Sequence, residues 1–441
     1  MHLNIKNIIL SSFLCCLTTT LAWAQVPPPG DPQEQPIILL GATAHIGNGE
    51  VIENAAVAFE AGKLTMVGTA AQAESIDLSG YEQVNLEGKH IYPGFILPNT
   101  DLGLKEIGAV RATVDNEEEG SVNPNVRSII SYNTDSELIP TFRFNGILMA
   151  QIVPEGGMIP GTSSIVHLDA WNWEDAAVLT DDALHINWPG RYAMKFDYDT
   201  YTVNRVPNES YQEQVQTIKD LFADTESYQQ MGDEASPNMK LRAVMGIMEG
   251  ERAVHLHAEE AMEIVEGIKF LKAQGVENIV LVGGFEANLV VDFLKENEIP
   301  VIVDRVHRLP ERPEEDVSQP YKLPAQLHKA GLLVGLAYEI GMNSRARNLP
   351  FLAGTASAYG MSKEEALMLI TANNAKILGI DDKVGTLESG KDATLFVSDG
   401  DALDMRTNIV EHVFISGRKV VLDAMQQRLY QKYKEKYSAA Q

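Results

Sequence analysis

Short apolar runs separated by polar turns occupy both ends of the chain. Ile37–Leu40, Val57–Glu60 and Lys63–Val67 are such runs, and Gly and Asn residues stand between them. Near the other end, GTLESGKDATLFVSDGD and IVEHVFISGRKVVL have the same texture. Runs of this length bounded by turn residues are typical of β-strands, so the pattern predicts a small β layer at each end.

The middle of the chain has a different pattern, in which buried strands alternate with amphipathic helices. RAVHLHA predicts a strand, and the apolar residues after it follow the helical period from about Glu259 to Gln274, just before Gly275. NIVLVG, PVIVD and LLVGLAY predict the strands that follow. Repeated strand–helix units indicate a parallel sheet, and the pattern alone allows a closed (β/α) barrel or an open doubly wound sheet.

Three further stretches lack this alternation. Residues 115–137 and 186–237 have no clear period, and we interpret them as insertions or irregular loops over the barrel mouth. Residues 423–441 predict a C-terminal helical tail.

The first 24 residues have the features of a signal peptide. Lys6 precedes a mostly apolar stretch that ends in an A-x-A cleavage pattern at residues 22–24. We expect cleavage before Gln25, an exposed Pro-rich linker over residues 25–35, and a periplasmic or secreted protein. An uncleaved anchor is the less favoured alternative, because the apolar run is short and interrupted by Ser and Thr.

Composition excludes several kinds of site and partner. The only two cysteines, Cys15 and Cys16, lie in the segment that we expect to be removed, which excludes disulfides, thiolate metal ligands and a cysteine nucleophile from the mature chain. The formal net charge of −26 argues against non-specific binding to nucleic acid. No later segment is long and apolar enough to predict a membrane span.

Four passages carry a family resemblance. They read GKHIYPGFILPNTDLGL, RAVHLHAEEAMEIVEGIKFLKAQGVENIVLVGG, RARNLPFLAGTASAYGMSKEEALMLITANNAKILGI and DKVGTLESGKDATLFVSDGD. The last two are the most specific. Together they resemble the amidohydrolase superfamily, and within it the imidazolonepropionase-like branch.

This resemblance implies an α/β fold, a distorted TIM-type (β/α)8 barrel with a small β-sandwich formed by both chain ends. Residues 36–90 and 384–422 would form the β-sandwich, and residues 91–383 the barrel. The active site would lie at the carboxyl ends of the barrel strands.

The resemblance also implies hydrolysis of C–N or related bonds with one or two divalent metals, which activate a bound water and polarise the scissile carbonyl. The usual His-x-His of strand one is replaced by Asn99 and Asp101, and the Asp that usually precedes it by Leu97. Gly283 stands at the usual strand-six His. A two-metal site is therefore not expected.

Enough donors remain for a reduced site. His255 and His257 lie two apart on strand five and so point to the same side of it. We predict Asp101, His257 and His255 as ligands of one divalent metal, zinc foremost, with Glu339 as the catalytic base and His307 as a substrate-binding residue.

Strand four cannot be placed, and Lys195 and Lys240 are candidates for its ligand by rough spacing only. In the alternative, no metal binds, His257 is a satisfied polar residue, and Asp101 and Glu339 pair with arginines. The candidate arginines are Arg111, Arg305, Arg345 and Arg347.

Two functions follow. The first is an exported hydrolase that acts on non-peptide or cyclic amide bonds through a reduced metal site. The second is a non-catalytic barrel that serves as a binding protein or as the structural partner of an intact homologue. Either would take a small amide-type substrate or ligand, without nucleic acid, and a homo-oligomer or a homologous partner is compatible with both.

Overall fold

A computed structural model describes residues 26–74, 76–232, 236–310, 312 and 314–438. The segment that we interpret as a signal peptide, residues 1–24, lies outside the described residues. Within them, no helix combines the length and the apolar character that crossing a bilayer requires.

Twenty strands form two sheet-based bodies and one hairpin. The strands are β1 (Ile37–His45), β2 (Val51–Glu60), β3 (Lys63–Thr69), β4 (Glu82–Asn85), β5 (His90–Pro93), β6 (Phe95–Thr100), β7 (Ile147–Ile152), β8 (Gly161–Thr162), β9 (Ser164–His167), β10 (Ala177–Leu179), β11 (Ala183–Asn187), β12 (Tyr192–Asp197), β13 (Thr202–Pro207), β14 (Ala253–Ala258), β15 (Ile279–Gly283), β16 (Val301–Val303), β17 (Val334–Leu336), β18 (Leu395–Ser398), β19 (Val410–Ile415) and β20 (Arg418–Lys419).

The helices follow most of the barrel strands and cover them. They are α1 (Ala70–Ala73), α2 (Ile139–Arg143), α3 (Trp173–Ala176), α4 (Tyr211–Met231), α5 (Met239–Met248), α6 (Ala261–Ala273), α7 (Val291–Glu296), α8 (Gln319–Lys329), α9 (Asn343–Ala346), α10 (Leu349–Ala358), α11 (Lys363–Met368), α12 (Ala372–Ile377) and α13 (Met425–Ser438). Short 3₁₀ turns lie at Arg111–Thr113, Ser128–Ser131 and Ala287–Leu289.

Both chain ends meet in one eight-stranded sheet. Its order is β20-β19-β18-β5-β1-β2-β3, and β4 pairs with β1. The junction between the two ends is the antiparallel pair of β5 and β18, in which Tyr92 lies opposite Phe396 and Pro93 opposite Leu395. Alternate residues of β1, among them Ile37 and Leu39, pack into a buried apolar cluster together with Phe414 of β19.

The barrel has eight staves divided between two sheets, and the expected fold class is confirmed. β6 and β7 belong to one sheet, and β11, β14, β15, β16 and β17 are parallel neighbours in the other. β8 and β9 form the third stave, because β8 pairs with β11 and β9 pairs with β7.

That third stave runs antiparallel to both of its neighbours. Residues 153–160, which connect it to β7, contain no helix. A parallel return needs a crossover of about a dozen residues or more, so this short connection can only reverse the chain direction. This reversal is the main distortion of the barrel.

Asn374 joins the first stave to the eighth. Its side-chain amide Nδ2 donates to Ile96 O of β6 and to Leu336 O of β17, both at 2.9 Å. Gly335 allows this close approach, because a Cβ atom there would lie 2.1 Å from Asn374 Oδ1. The Thr-x-Asn-x-Ala-Lys passage therefore helps to close the barrel.

The segment 186–237 is more regular than its sequence indicates. It contains the antiparallel hairpin of β12 and β13 and the 21-residue helix α4. The five buried residues of α4 recur every three or four positions, which is a helical period that the sequence analysis missed. They are Tyr211, Val215, Ile218, Phe222 and Thr225.

Candidate functional site

Polar side chains gather inside the barrel toward the carboxyl ends of its strands. The register of β11 and β14 explains part of this clustering. His185 of β11 lies opposite His255 of β14 in a parallel pair, and His257 follows two residues later on the same face of β14. Asn99 of β6 and Gln151 of β7 contribute from the other sheet.

Three of these side chains form an imidazole cluster. His185 Nδ1 and His257 Nε2 are 2.8 Å apart, so one nitrogen donates and the other accepts, and the His255 ring lies edge-on to His185 at 5.0 Å. Burial lowers the pKa of His255 to about 3 and that of His257 to about 4, and it holds the pKa of His185 well below its usual value. All three rings are neutral near pH 7.

His185 is the strand-four residue that sequence analysis missed. The signal was present, because ALHIN in β11 carries a histidine at the position that His255 takes in AVHLHA. The two lysines considered instead lie elsewhere. Lys195 is exposed on the β12–β13 hairpin, and Lys240 is on α5, where its Nζ donates to Val122 O.

Gln151 connects the staves below the imidazole cluster. Its Oε1 accepts from Asn99 N at 3.2 Å, and its Nε2 donates to Asp182 Oδ2 at 2.6 Å and to Ser163 Oγ at 3.2 Å. Burial raises the pKa of Asp182 to about 6. The two side chains that donate to Asp182 among the described residues, Gln151 and Ser163, are both uncharged.

Asn99 faces the seventh strand. Its Nδ2 donates to Asp304 Oδ1 at 3.5 Å, and its backbone has φ +54°, a left-handed conformation that Asn tolerates better than most residues. Burial raises the pKa of Asp304 to about 7 against the lowering effect of this bond, and the nearby Glu339 carboxylate contributes in the same direction as burial.

Glu259 occupies the space beside Gly283, where a side chain at the end of strand six would lie. A Cβ atom on Gly283 would be 2.3 Å from Glu259 Oε1. Glu259 Oε2 accepts from Phe285 N at 3.2 Å. Burial, with a smaller contribution from Asp304, raises the pKa of Glu259 to about 8.

Asp101 is fully buried in a second carboxyl pair. Asn116 Nδ2 donates to Asp101 Oδ2 at 3.4 Å and to Glu155 Oε1 at 2.9 Å. Burial and a hydrogen bond with the Asp101 carboxyl raise the pKa of Glu155 to about 7. A hydrogen bond between two carboxyl groups requires a shared proton.

Glu339 and His307 also have partners of their own. Arg305 Nη1 lies 2.5 Å from Glu339 Oε2, which is one of the ion pairs that the sequence suggested as an alternative to a metal. His307 Nε2 lies 2.6 Å from Thr355 Oγ1 on α10. In the described contacts, therefore, Asp101, His257 and Glu339 do not converge.

A cavity of about 760 Å³ lies at the mouth between the β12–β13 hairpin and the barrel, and we call it the hairpin cavity. Its lining residues come from the hairpin, from the ends of β14 and β15, and from the segment before and at the start of α8. They are Tyr192, Met194, Val203, Arg205, Glu259, Glu260, Phe285, Glu286, Asn288, Leu289, Arg312, Glu314, Glu315 and Gln319.

Comparisons with known proteins give the family. Residues 242–420 match the model of the amidohydrolase family. The crystal structure of an amidohydrolase from Thermotoga maritima is 25% identical with a TM-score of 0.76, and the match covers 87% of this chain and 99% of that one. Residues 242–420 belong to the amidohydrolase family. Among curated proteins, none matches the sequence.

Two other solved members of the superfamily fold show the same architecture. A prolidase in complex with N-methylphosphonate-L-proline is 15% identical with a TM-score of 0.54, over 87% of this chain and 99% of that one. An adenosine deaminase from Xanthomonas campestris with bound zinc is 15% identical with a TM-score of 0.54, over 93% of this chain and 98% of that one.

Amidohydrolases typically bind a divalent metal, which requires side-chain donors that converge on one point. Protein zinc sites normally use at least three side-chain ligands. Within the described residues, no group of three His, Asp or Glu side chains is arranged to hold a metal ion. The two facing nitrogens of His185 and His257 bond to each other, Asp304 accepts from Asn99, and one oxygen of Glu259 accepts from Phe285 N. This arrangement does not fit a metal centre held by the protein.

Proposed function

We propose that this amidohydrolase-superfamily chain is an exported protein that binds a small molecule at the barrel mouth without metal-dependent hydrolysis. The observation that carries the proposal is the Glu259 carboxyl beside Gly283. It fills the space that a strand-six histidine would need, and the positive φ of +92° at Gly283 disfavours any side chain there.

The remaining acids support the same proposal. Glu339 is paired with Arg305, and Asp101 and Glu155 both accept from the Asn116 amide. A metal would have to displace these partners, and removing one member of a close, partly buried pair is costly.

A second candidate function is supported by the imidazole pair of His185 and His257, at the ends of adjacent strands. In that case the chain hydrolyses a non-peptide or cyclic amide with one divalent metal, zinc foremost. The residues that we predicted for it are Asp101, His255 and His257 as ligands, Glu339 as base and His307 as a substrate contact.

Metal stoichiometry distinguishes the two candidates. Protein purified without a chelating tag would be incubated with excess zinc, desalted and measured by inductively coupled plasma mass spectrometry and thermal unfolding. We expect far less than one zinc per chain and an unchanged unfolding temperature, with the same result for His185→Ala and His257→Ala. About one zinc per wild-type chain, lost in His257→Ala, would replace this proposal with the hydrolase.

Export and partners are further parts of the proposal. Export rests on the signal-like composition of residues 1–24. Association with a second copy or with a homologous chain is supported by α13, in which no residue is buried and several tyrosines are exposed.

A further inference from the structure

The hairpin cavity has an excess of negative charge. Among its lining residues, five are glutamates and two are arginines. Both arginines already have partners. Arg205 pairs with Glu260, and Arg312 Nη1 lies 2.6 Å from Glu286 Oε1 and its Nη2 3.5 Å from Glu260 Oε1. These contacts compensate Glu260 and Glu286, whereas Arg308 acts on the Glu259 carboxyl only through space and pairs with Glu315.

Glu259 is the acid with an open position. Phe285 N satisfies Oε2, whereas Oε1 has no hydrogen bond or ion pair within the described part of the chain. The carboxyl lies beside the buried Gly283 and also lines the cavity. Glu259 is partly buried and makes no direct ion pair among the described contacts, so a cation that reaches it is stabilised more than it would be beside an exposed acid.

The cavity walls suit the rest of a cationic molecule. Arg205 stacks on the Tyr192 ring at 3.5 Å while it pairs with Glu260, so this cavity already holds one guanidinium between an aromatic face and a carboxylate. Met194 lies opposite Arg205 in the hairpin register, and its side chain is 66% exposed. Such an apolar surface can cover an aliphatic or aromatic body.

We propose that the hairpin cavity binds an organic cation, an amine or guanidinium with an apolar body, with Glu259 as its counter-ion and the β12–β13 hairpin as its cover. This inference rests on the proposed binding function and names the ligand class for it. The volume of about 760 Å³ lies within the range of small-molecule sites.

Calorimetric titration with matched probes tests the inference. Phenethylamine and agmatine supply the cation, 2-phenylethanol removes the charge, and phenylacetate reverses it. We expect the two cations to bind, 2-phenylethanol to bind about tenfold more weakly or worse, and phenylacetate not to bind.

Two variants locate the site. Glu259→Gln keeps the shape and should weaken cation binding about tenfold or more, since a buried charged pair contributes that much to affinity. Tyr192→Ala changes only the partly exposed hairpin and should weaken it severalfold. Glu277→Gln removes a charge at the opposite end of β15 and should bind like the wild type.

Several results would overturn the inference. The first is that neither cation binds at 10 mM, roughly the weakest affinity that such a site should have. The second is that phenylacetate binds as well as the cations. The third is that a folded Glu259→Gln protein keeps full affinity. The two proposals fail separately, because tightly held zinc would refute the binding function whatever the cations do. Absence of cation binding with no zinc retained would refute the ligand class alone.

Discussion

Asp304 lies one residue beyond β16 and accepts its hydrogen bond from a neutral amide rather than from a cation. Burial of its carboxyl therefore outweighs the lowering effects of this bond and of Arg305 on the pKa. The same physical situation recurs at Glu155 and Glu259, whose pKa values are also raised mainly by burial. At this mouth the acids hold their protons to higher pH than exposed carboxyls do.

The raised pKa of Asp304 predicts that the free energy of unfolding depends on pH. The pKa of Asp304 is raised from 3.8 to about 7, so its contribution to folding is fully present below pH 3.8 and is lost as the pH rises through 7. The free energy of unfolding should fall as the pH rises from about 4 to about 7, the interval between the two pKa values, and Asp304→Asn should remove part of this slope in urea titrations.

The exposed Asp292→Asn variant is the control for a change in net charge, and it should keep the wild-type slope. Glu155 and Glu259 titrate in the same window, so the difference between variant and wild type is the informative quantity. An Asp304→Asn slope equal to that of the wild type would show that Asp304 is ionised throughout.

At the scale of elements, the joint between β6 and β17 depends on a side chain. Asn374→Ala would leave the Ile96 and Leu336 carbonyls without their side-chain donor inside the protein. We expect it to lower the free energy of unfolding by about 2 kcal/mol or more, measured by urea denaturation.

Asn297→Ala is the matched control. Its Nδ2 donates to Phe293 O at a helix end, where water can replace it, so the loss should stay below about 1 kcal/mol. Equal losses in the two variants would mean that Asn374 does not hold the barrel together.

The observed helices and strands show how much of the secondary structure the sequence predicts. The helix expected from Glu259 to Gln274 is observed as Ala261–Ala273, because its apolar period is strong and Glu260 and Glu263 form a capping box. The hairpin between β19 and β20 turns at Ser416 and Gly417, since Ile415 pairs with Arg418.

The contacts within the candidate site could not be predicted from the sequence in the same way. Gly283 could be identified as a lost ligand, but nothing in the linear pattern indicates that Glu259 turns into its space. The contact joins residues of adjacent strands and depends on how β14 and β15 pack. For the same reason the bond between Asp101 and Glu155 could not be anticipated.

At the scale of the molecule, the C-terminal helix stands out from a strongly acidic protein. The formal net charge is −26, whereas α13 carries Arg428, Lys432, Lys434 and Lys436 against the single acid Glu435. Its tyrosines are exposed; the side chains of Tyr430 and Tyr437 are 62% and 63% accessible. A basic, aromatic helix complements the acidic surface of another copy.

We therefore expect self-association through α13. Sedimentation velocity should give a dimer for the full mature chain and a monomer for a chain that ends at Asp423, and added salt should weaken the dimer because charge attraction is screened. A Tyr430→Ser/Tyr433→Ser/Tyr437→Ser variant keeps the charge and should also lose affinity. Identical sedimentation of all three proteins would exclude this role of the helix.

The pairing of β5 with β18 has a consequence for biosynthesis. The two strands are about 300 residues apart in the chain, so β1 to β5 emerge from the ribosome long before the strand that completes their sheet. Until then their open edge is exposed to other chains, and an incomplete polypeptide is prone to aggregate. Completion of the sheet therefore waits until β18 has been synthesised.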